Sequence, residues 1–417
     1  MYGTEVEKSV LDYLGGKTDG DKLVLGKGVL AGLNDRLSAF VPEKGKVLCV
    51  LDGRFAAAET VYGIVTRKFR AERSPEGLCA SRKYAQGIKV SEDVKAVVCA
   101  GGGGAADVAK YVAARKGLPA VVVALSQATA GYMSPSSMLE ADGGYTEVYK
   151  TGSPALTVMD TALLKNDDEL NAAGFGEICS RLASLFDWEL SHILCGEDYS
   201  ADVAADAVKL IKYVLTEAEH DALNAEKTGI CAALMSAVTE RCKSSRMMCG
   251  GEAQMAHAFK LLKRKSGGRV RLQGENEMIF SVVTMRAYVA ALSLIGAPVS
   301  APDNNVRLER MVRALGMSPF RAADKLTAGM PPAELNRYIH ILREYRDELM
   351  FKAEIYEKTL SFALKRFKRL YKDKGYSYNN YLDADSLKLC FALAPEMREK
   401  FTFFTLLKQT GMLEGFL

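Results

Sequence analysis

Histidine is scarce in this chain of 417 residues, which has only His192, His220, His257 and His340. Any imidazole-dependent catalysis or metal binding must draw on these four. The nine cysteines are scattered and form no C-x-x-C pair, so they read as reduced core thiols of a cytosolic protein. Long apolar runs are missing, which excludes a membrane-spanning helix. The first residues include Glu5, Glu7 and Lys8 without an apolar core, so no secretory signal is expected. Charge of one sign is lacking too: 55 Lys and Arg face 51 Asp and Glu, a balance that does not suit a dedicated nucleic-acid binder. No internal repeat or low-complexity linker is visible.

What is present is an ordinary globular composition, 48% apolar and 25% charged. The length exceeds one usual hydrophobic core, so two domains are expected, residues 1–160 and 161–417. Short, β-branched apolar runs recur at residues 22–26, 46–51, 96–100 and 120–124, separated by amphipathic segments such as 55–68 and 107–116. This alternation predicts βαβ units around a parallel sheet buried on both faces.

From about Leu163 onward the spacing of apolar residues becomes helical, over 178–194, 201–218, 222–247, 277–294, 305–315, 332–351 and 353–371. The C-terminal part is therefore expected to be all-helical, punctuated by turn signals at 266–269, 296–302 and 329–332. Residues 365–374 form the one dense basic run, which reads as a solvated helix face.

The stretch from Val97 to Lys110 breaks an apolar run into four glycines and resumes as a helix. Gly101 to Gly104 let a ligand approach the backbone, and the helix start that follows favours an anion. A nucleotide phosphate suits this turn. Its spacing is not G-x-G-x-x-G, and a strand-to-helix turn without a ligand would use the same glycines. Asp52 directly follows a strand, where a carboxyl end would face a ligand crevice or simply close the strand. His257 follows a glycine pair on a helical pattern, a place for either a packed imidazole or a ligand.

Four stretches in the same order resemble a known family. Gly101-Gly-Gly-Gly-Ala-Ala-Asp-Val-Ala-Lys110 is similar to G-G-G-S-x-x-D-x-x-K, and residues 123–135 (VALSQATAGYMSP) to V-P-T-A-A-S-N-D-G-x-x-S-P. Residues 173–188 resemble A-G-x-G-D-x-x-x-K-x-x-x-x-x-D-W, and residues 244–257 resemble S-S-R-x-x-S-G-x-E-H-x-x-S-H. These are motifs of the iron-containing alcohol dehydrogenase and dehydroquinate synthase superfamily, and together they point to its glycerol-1-phosphate dehydrogenase branch.

The resemblance implies a dehydroquinate synthase-like fold: a Rossmann-like α/β nucleotide-binding domain followed by a helical domain. It implies NAD or NADP held by Asp52, Gly101, Gly102, Gly103, Asp107, Lys110 and Ser126, and a small phosphorylated substrate handled by Ser134, Ser136, Ser245 and Arg246. The family's divalent metal, commonly zinc, would fall to Glu177, His257 and Gln273, which would form the catalytic set and polarise the reacting oxygen. Reduction of a ketone such as dihydroxyacetone phosphate, a role in phospholipid metabolism and a homodimer or larger assembly follow from the same likeness.

The departures bear on activity. Glu177 stands where the family has aspartate, and Gln273 replaces a histidine with a much weaker zinc donor. Ala130 and Ala253 replace an aspartate and a histidine. Two other readings follow: a noncatalytic nucleotide-binding homologue of the same fold, and a sugar-phosphate lyase of the dehydroquinate synthase kind.

Overall fold

The computed structural model describes residues 3–141, 144–220, 223–295, 303–326, 328–370 and 381–416. The turn signal at 296–302 and the part of the basic run from 371 to 374 lie outside them. The chain forms two compact units, residues 1–178 with 205–245 and residues 179–204 with 246–417. The sheet ends at Asp160, where the sequence places its domain boundary. The first unit continues through 161–178 and takes in most of two later helices.

In the first unit the strands are β1 (Leu23–Gly26), β2 (Lys46–Leu51), β3 (Arg70–Arg73), β4 (Val94–Gly101), β5 (Ala120–Ala124), β6 (Ser136–Glu140), β7 (Thr146–Lys150) and β8 (Leu156–Asp160). Six form a sheet in the order β1-β8-β5-β4-β2-β3, and every pair in it is parallel. β6 and β7 pair separately as an antiparallel hairpin. Side-chain alternation explains why the central strands read as continuous apolar runs. Leu48, Val50, Val97, Cys99 and Val122 join one buried cluster, while Val47, Cys49, Val98, Val121 and Val123 join the other. With a core on each face, both parities of a strand must be apolar.

The helices are α1 (Gly3–Gly16), α2 (Leu33–Leu37), α3 (Ala57–Thr66), α4 (Arg82–Gly87), α5 (Gly103–Lys116), α6 (Asp168–Cys195), α7 (Ala201–Glu219) and α8 (Ala225–Arg241). There follow α9 (Gly251–Lys265), α10 (Gln273–Ser293), α11 (Asn304–Leu315), α12 (Pro319–Lys325), α13 (Pro332–Glu344), α14 (Arg346–Leu370), α15 (Ala384–Leu393) and α16 (Phe403–Gln409). The run expected at 332–351 is two helices that meet at Tyr345. In the second unit all the described elements are helical. No described helix is long and apolar enough to cross a membrane.

Candidate functional site

The strand order reverses between β2 and β4: the chain leaves β2 toward β3 on one side and returns to β4 on the other. Such a reversal opens a crevice at the carboxyl ends of the strands. Asp52 and the glycine turn both lie there. Asp52 N–H donates to Ala100 O at 2.9 Å, and its Oδ2 accepts from Gly102 N–H at 3.4 Å. Arg54 grips the same carboxylate with Nε on Oδ1 at 2.8 Å and Nη2 on Oδ2 at 2.7 Å. Burial pushes the Asp52 carboxyl up, but the Arg54 hydrogen bonds and charge outweigh it and hold the group below its ordinary value.

Close approach explains three of the glycines. A Cβ on Gly101 would collide with Asp52 Cβ and lie 2.8 Å from Ala105 Cβ. One on Gly103 would reach 2.9 Å from Thr129 Cγ2, and one on Gly104 3.0 Å from Ala80 Cβ. Gly102 differs, because a Cβ there would make only ordinary contacts, with the Phe55 ring at 3.5 Å and Asp52 Oδ2 at 3.8 Å. The protein itself leaves room at Gly102, so a bare backbone at this position suits an approaching ligand. Gly102 caps α5, whose first N–H groups point out of the turn. The turn therefore fits a dinucleotide pyrophosphate.

Asp107 and Lys110 are engaged elsewhere. Lys110, 1% exposed, donates to Ser134 O at 3.2 Å and Ser136 O at 2.8 Å, and lies 3.3 Å from Asp107 Oδ1. Burial raises the Asp107 carboxyl, against the charge of Lys110 and the N–H of Met138. The pair thus fastens residues 134–138 to α5. Ser134 and Ser136 are tied into that segment, with Ser136 N–H donating to Ser134 Oγ at 3.3 Å.

Ser126 Oγ accepts from Ala128 N–H at 3.1 Å, and its carbonyl accepts from Tyr132 OH at 2.7 Å. This loop carries Thr129 against Gly103 and also reaches Glu177 on α6. Glu177 Oε1 accepts from Thr129 Oγ1 at 3.2 Å and from Ala130 N–H at 3.0 Å. The structure therefore links the glycine turn, the 126–131 loop and Glu177 in one unit. Ser245, half-buried, ends that unit.

The second unit places its candidates differently. Arg246 is fully buried and donates to Cys249 O at 3.1 Å, Asp187 O at 2.7 Å and Phe401 O at 2.6 Å, with Glu197 at 3.1 Å. It fastens the loop before α9. Asp187 accepts from Gly251 N–H at 2.7 Å, Phe403 N–H at 2.8 Å and Tyr288 OH at 3.0 Å. It thereby caps both α9 and α16. Burial nonetheless lifts its carboxyl to about 6. Glu252, fully buried and hydrogen-bonded by Ser184, is pushed up to about 8 by burial and by the charge of Glu277.

His257 lies on α9, 4% exposed. Burial, then the charges of Arg398, Lys260, Arg264 and Lys325, press its pKa well below the ordinary value, so the imidazole is neutral in cationic surroundings. Gln273 is exposed at the first position of α10, and its Nε2 donates to Glu277 Oε1 at 2.7 Å. Glu277 is also paired with Arg181 at 3.5 Å.

Gln273 is the weakest member of the three-ligand metal set that the resemblance implies. Gln273 donates through Nε2 to Glu277, which leaves its amide Oε1 as the coordinating atom, an oxygen that is a poor zinc donor, and the His257 surroundings are cationic. Among the described residues no three His, Cys, Asp or Glu side chains gather closely enough to hold an ion. Sequence reasoning missed Arg54 and Thr129. Arg54 had a signal, a cation two residues past a strand-end carboxylate, while the Thr129 contacts depend on how its loop folds.

The model of the iron-containing alcohol dehydrogenase family matches residues 59–166. The glycerol-1-phosphate dehydrogenase [NAD(P)+] of Methanothrix thermoacetophila is 30% identical over 317 residues, spanning 70% of this chain and 86% of that protein. Its counterpart in Methanosphaera stadtmanae is 24% identical over 70% of this chain and 86% of its own. Among solved structures, the glycerol dehydrogenase of Schizosaccharomyces pombe superposes with a TM-score of 0.53 at 14% identity, over 86% of this chain and 92% of its own. With the parallel sheet, the glycine turn at its point of reversal and relatives that align over most of their length, the chain belongs to the iron-containing alcohol dehydrogenase family, in its glycerol-1-phosphate dehydrogenase branch.

Proposed function

We propose that the chain is an NAD(P)-dependent oxidoreductase acting on a small phosphorylated ketone or polyol, of the dihydroxyacetone phosphate and glycerol-1-phosphate type, with an altered metal site. The observation that carries this reading is the glycine turn at the strand reversal, where Gly102 alone keeps room above its Cα. The relatives named glycerol-1-phosphate dehydrogenase [NAD(P)+] supply the substrate class. Gly101 to Gly103 and the N-terminus of α5 would hold the pyrophosphate, with Asp52 toward a ribose. A nicotinamide bound there would supply hydride chemistry at the substrate's carbonyl carbon. Lys110 and Asp107 hold the 134–138 segment in place, and Thr129 and Ala130 fix the Glu177 carboxylate.

A cytoplasmic location, a homodimer or larger assembly and a role in phospholipid metabolism are proposed on the family likeness alone. A second reading, a nucleotide-binding homologue without turnover, rests on Gln273, a weak zinc donor in place of a histidine, and on the alanines at 130 and 253. Fluorescence titration with NADH and NADPH, turnover of dihydroxyacetone phosphate and metal analysis of the purified protein decide between them. Oxidation of NADH or NADPH dependent on dihydroxyacetone phosphate supports the enzyme. Tight nucleotide binding with neither turnover nor stoichiometric metal supports the second reading.

A further inference from the structure

The Asp52 and Arg54 pair bears on which dinucleotide the turn accepts. A bare carboxylate at the end of β2 would bond the 2′-hydroxyl of an adenosine ribose and repel a 2′-phosphate. Here the carboxylate is not bare. Asp52 is 1% exposed, fixed by Gly102 N–H and neutralised by a two-point hydrogen bond from Arg54. The Arg54 side chain is itself 72% exposed. Its grip uses the Nε–H and one Nη2–H, so the remaining guanidinium donors face outward.

Resting on the nucleotide reading above, we propose that Arg54 is a specificity residue that cancels the Asp52 charge and presents its outer N–H groups to a 2′-phosphate, so that the chain binds NADPH in preference to NADH. Two features make the arrangement suited to this. Arg54 is positioned by its own hydrogen bonds to Asp52, so little side-chain entropy remains to be lost on binding. Nη1, which does not touch Asp52, keeps its donors for a second, charge-assisted contact.

Titrating the purified protein with NADPH and with NADH separately, by nicotinamide fluorescence, tests the proposal. The expected result is tighter binding of NADPH, with a steeper loss of its affinity as salt is raised. Arg54→Ala should lower the affinity for NADPH relative to NADH by about tenfold or more, the scale of a charge-assisted hydrogen bond. Because Arg54→Ala leaves Asp52 unpaired, Arg54→Gln is the companion: it can still bond Asp52 but carries no charge, and the same fall in the ratio is expected. An NADPH to NADH ratio unchanged in both variants, or a wild-type protein that excludes NADPH while binding NADH, overturns the inference and leaves the nucleotide reading standing. Failure of both dinucleotides to bind overturns that reading, and the inference falls with it.

Discussion

Asp52 and Glu252 are both buried carboxylates, one in each unit, and they are held in opposite ways. Asp52 ends a strand beside an exposed arginine that takes both of its oxygens, and its carboxyl stays below the ordinary range. Glu252 sits at the start of α9, hydrogen-bonded by Ser184 and close to the charge of Glu277, and is pushed up to about 8. The first unit keeps a charged carboxylate where its strand order reverses. The second keeps a neutral acid inside a helical core. The same contrast separates the residues taken for chemistry: in the first unit the glycine turn, Thr129 and Glu177 are linked, whereas in the second Arg246 and Asp187 fasten backbone and Gln273 stands exposed.

Removing one fastener from each unit should give the largest effects. Asp187→Ala deletes the acceptor for two helix N-termini and Tyr288, and Lys110→Met removes the cation beside Asp107 and the donor to two carbonyls. Each is expected to cost about 3–5 kcal/mol in urea unfolding, the scale for breaking a buried charged network. Equal costs of less than about 1 kcal/mol would mean that neither residue is a fastener.

The glycines separate fold from ligand. Gly101→Ala forces a Cβ between Asp52 and Ala105 and should destabilise by about 1–3 kcal/mol. Gly102→Val finds Phe55 at contact distance and an extended backbone, φ −82°, so stability should change by less than about 1 kcal/mol while nucleotide affinity falls by about a hundredfold. Titration with NADPH beside thermal melting checks both. Unchanged affinity in Gly102→Val would remove the phosphate turn from the argument.

Much of the first unit was legible because a parallel sheet buried on both faces writes itself as apolar runs: residues 22–26, 46–51, 96–100 and 120–124 became β1, β2, β4 and β5. β3 was not visible, since Arg-Ala-Glu-Arg lies at a sheet edge with little burial. The roles of site residues were less legible than the elements. Arg246 and Lys110 stand in motifs at positions that suggest ligand contact, but burial and the carbonyls around them decide their task, and those carbonyls belong to residues distant in sequence, Phe401 and Asp187 for Arg246.

The pH dependence distinguishes the two carboxylates. The folded pKa of Glu252 lies above its ordinary 4.5, at about 8, so the folded state binds the proton more tightly than the unfolded chain does. Its contribution is fully present below the ordinary value and is lost as pH rises through about 8. Asp52 runs the other way: its contribution is present above the ordinary value and is lost on acidification through the depressed folded pKa. Melting temperature should fall from mildly acidic pH toward pH 8, and Glu252→Gln should flatten that fall. A slope unchanged in Glu252→Gln would assign the effect to another group.

The smallest effect is expected at Gln273, and it tests the contrast most directly. The side chain is exposed and makes one hydrogen bond, to a Glu277 that also pairs with Arg181. Gln273→Ala should therefore cost no more than about 1 kcal/mol and leave the zinc content and the nucleotide affinity of the purified protein as they were. A metal ligand would behave differently, because deleting one of three donors typically empties the site and takes turnover with it. Loss of bound metal together with loss of dihydroxyacetone phosphate reduction in Gln273→Ala would show that the amide coordinates, and would place the second unit's chemistry at α10.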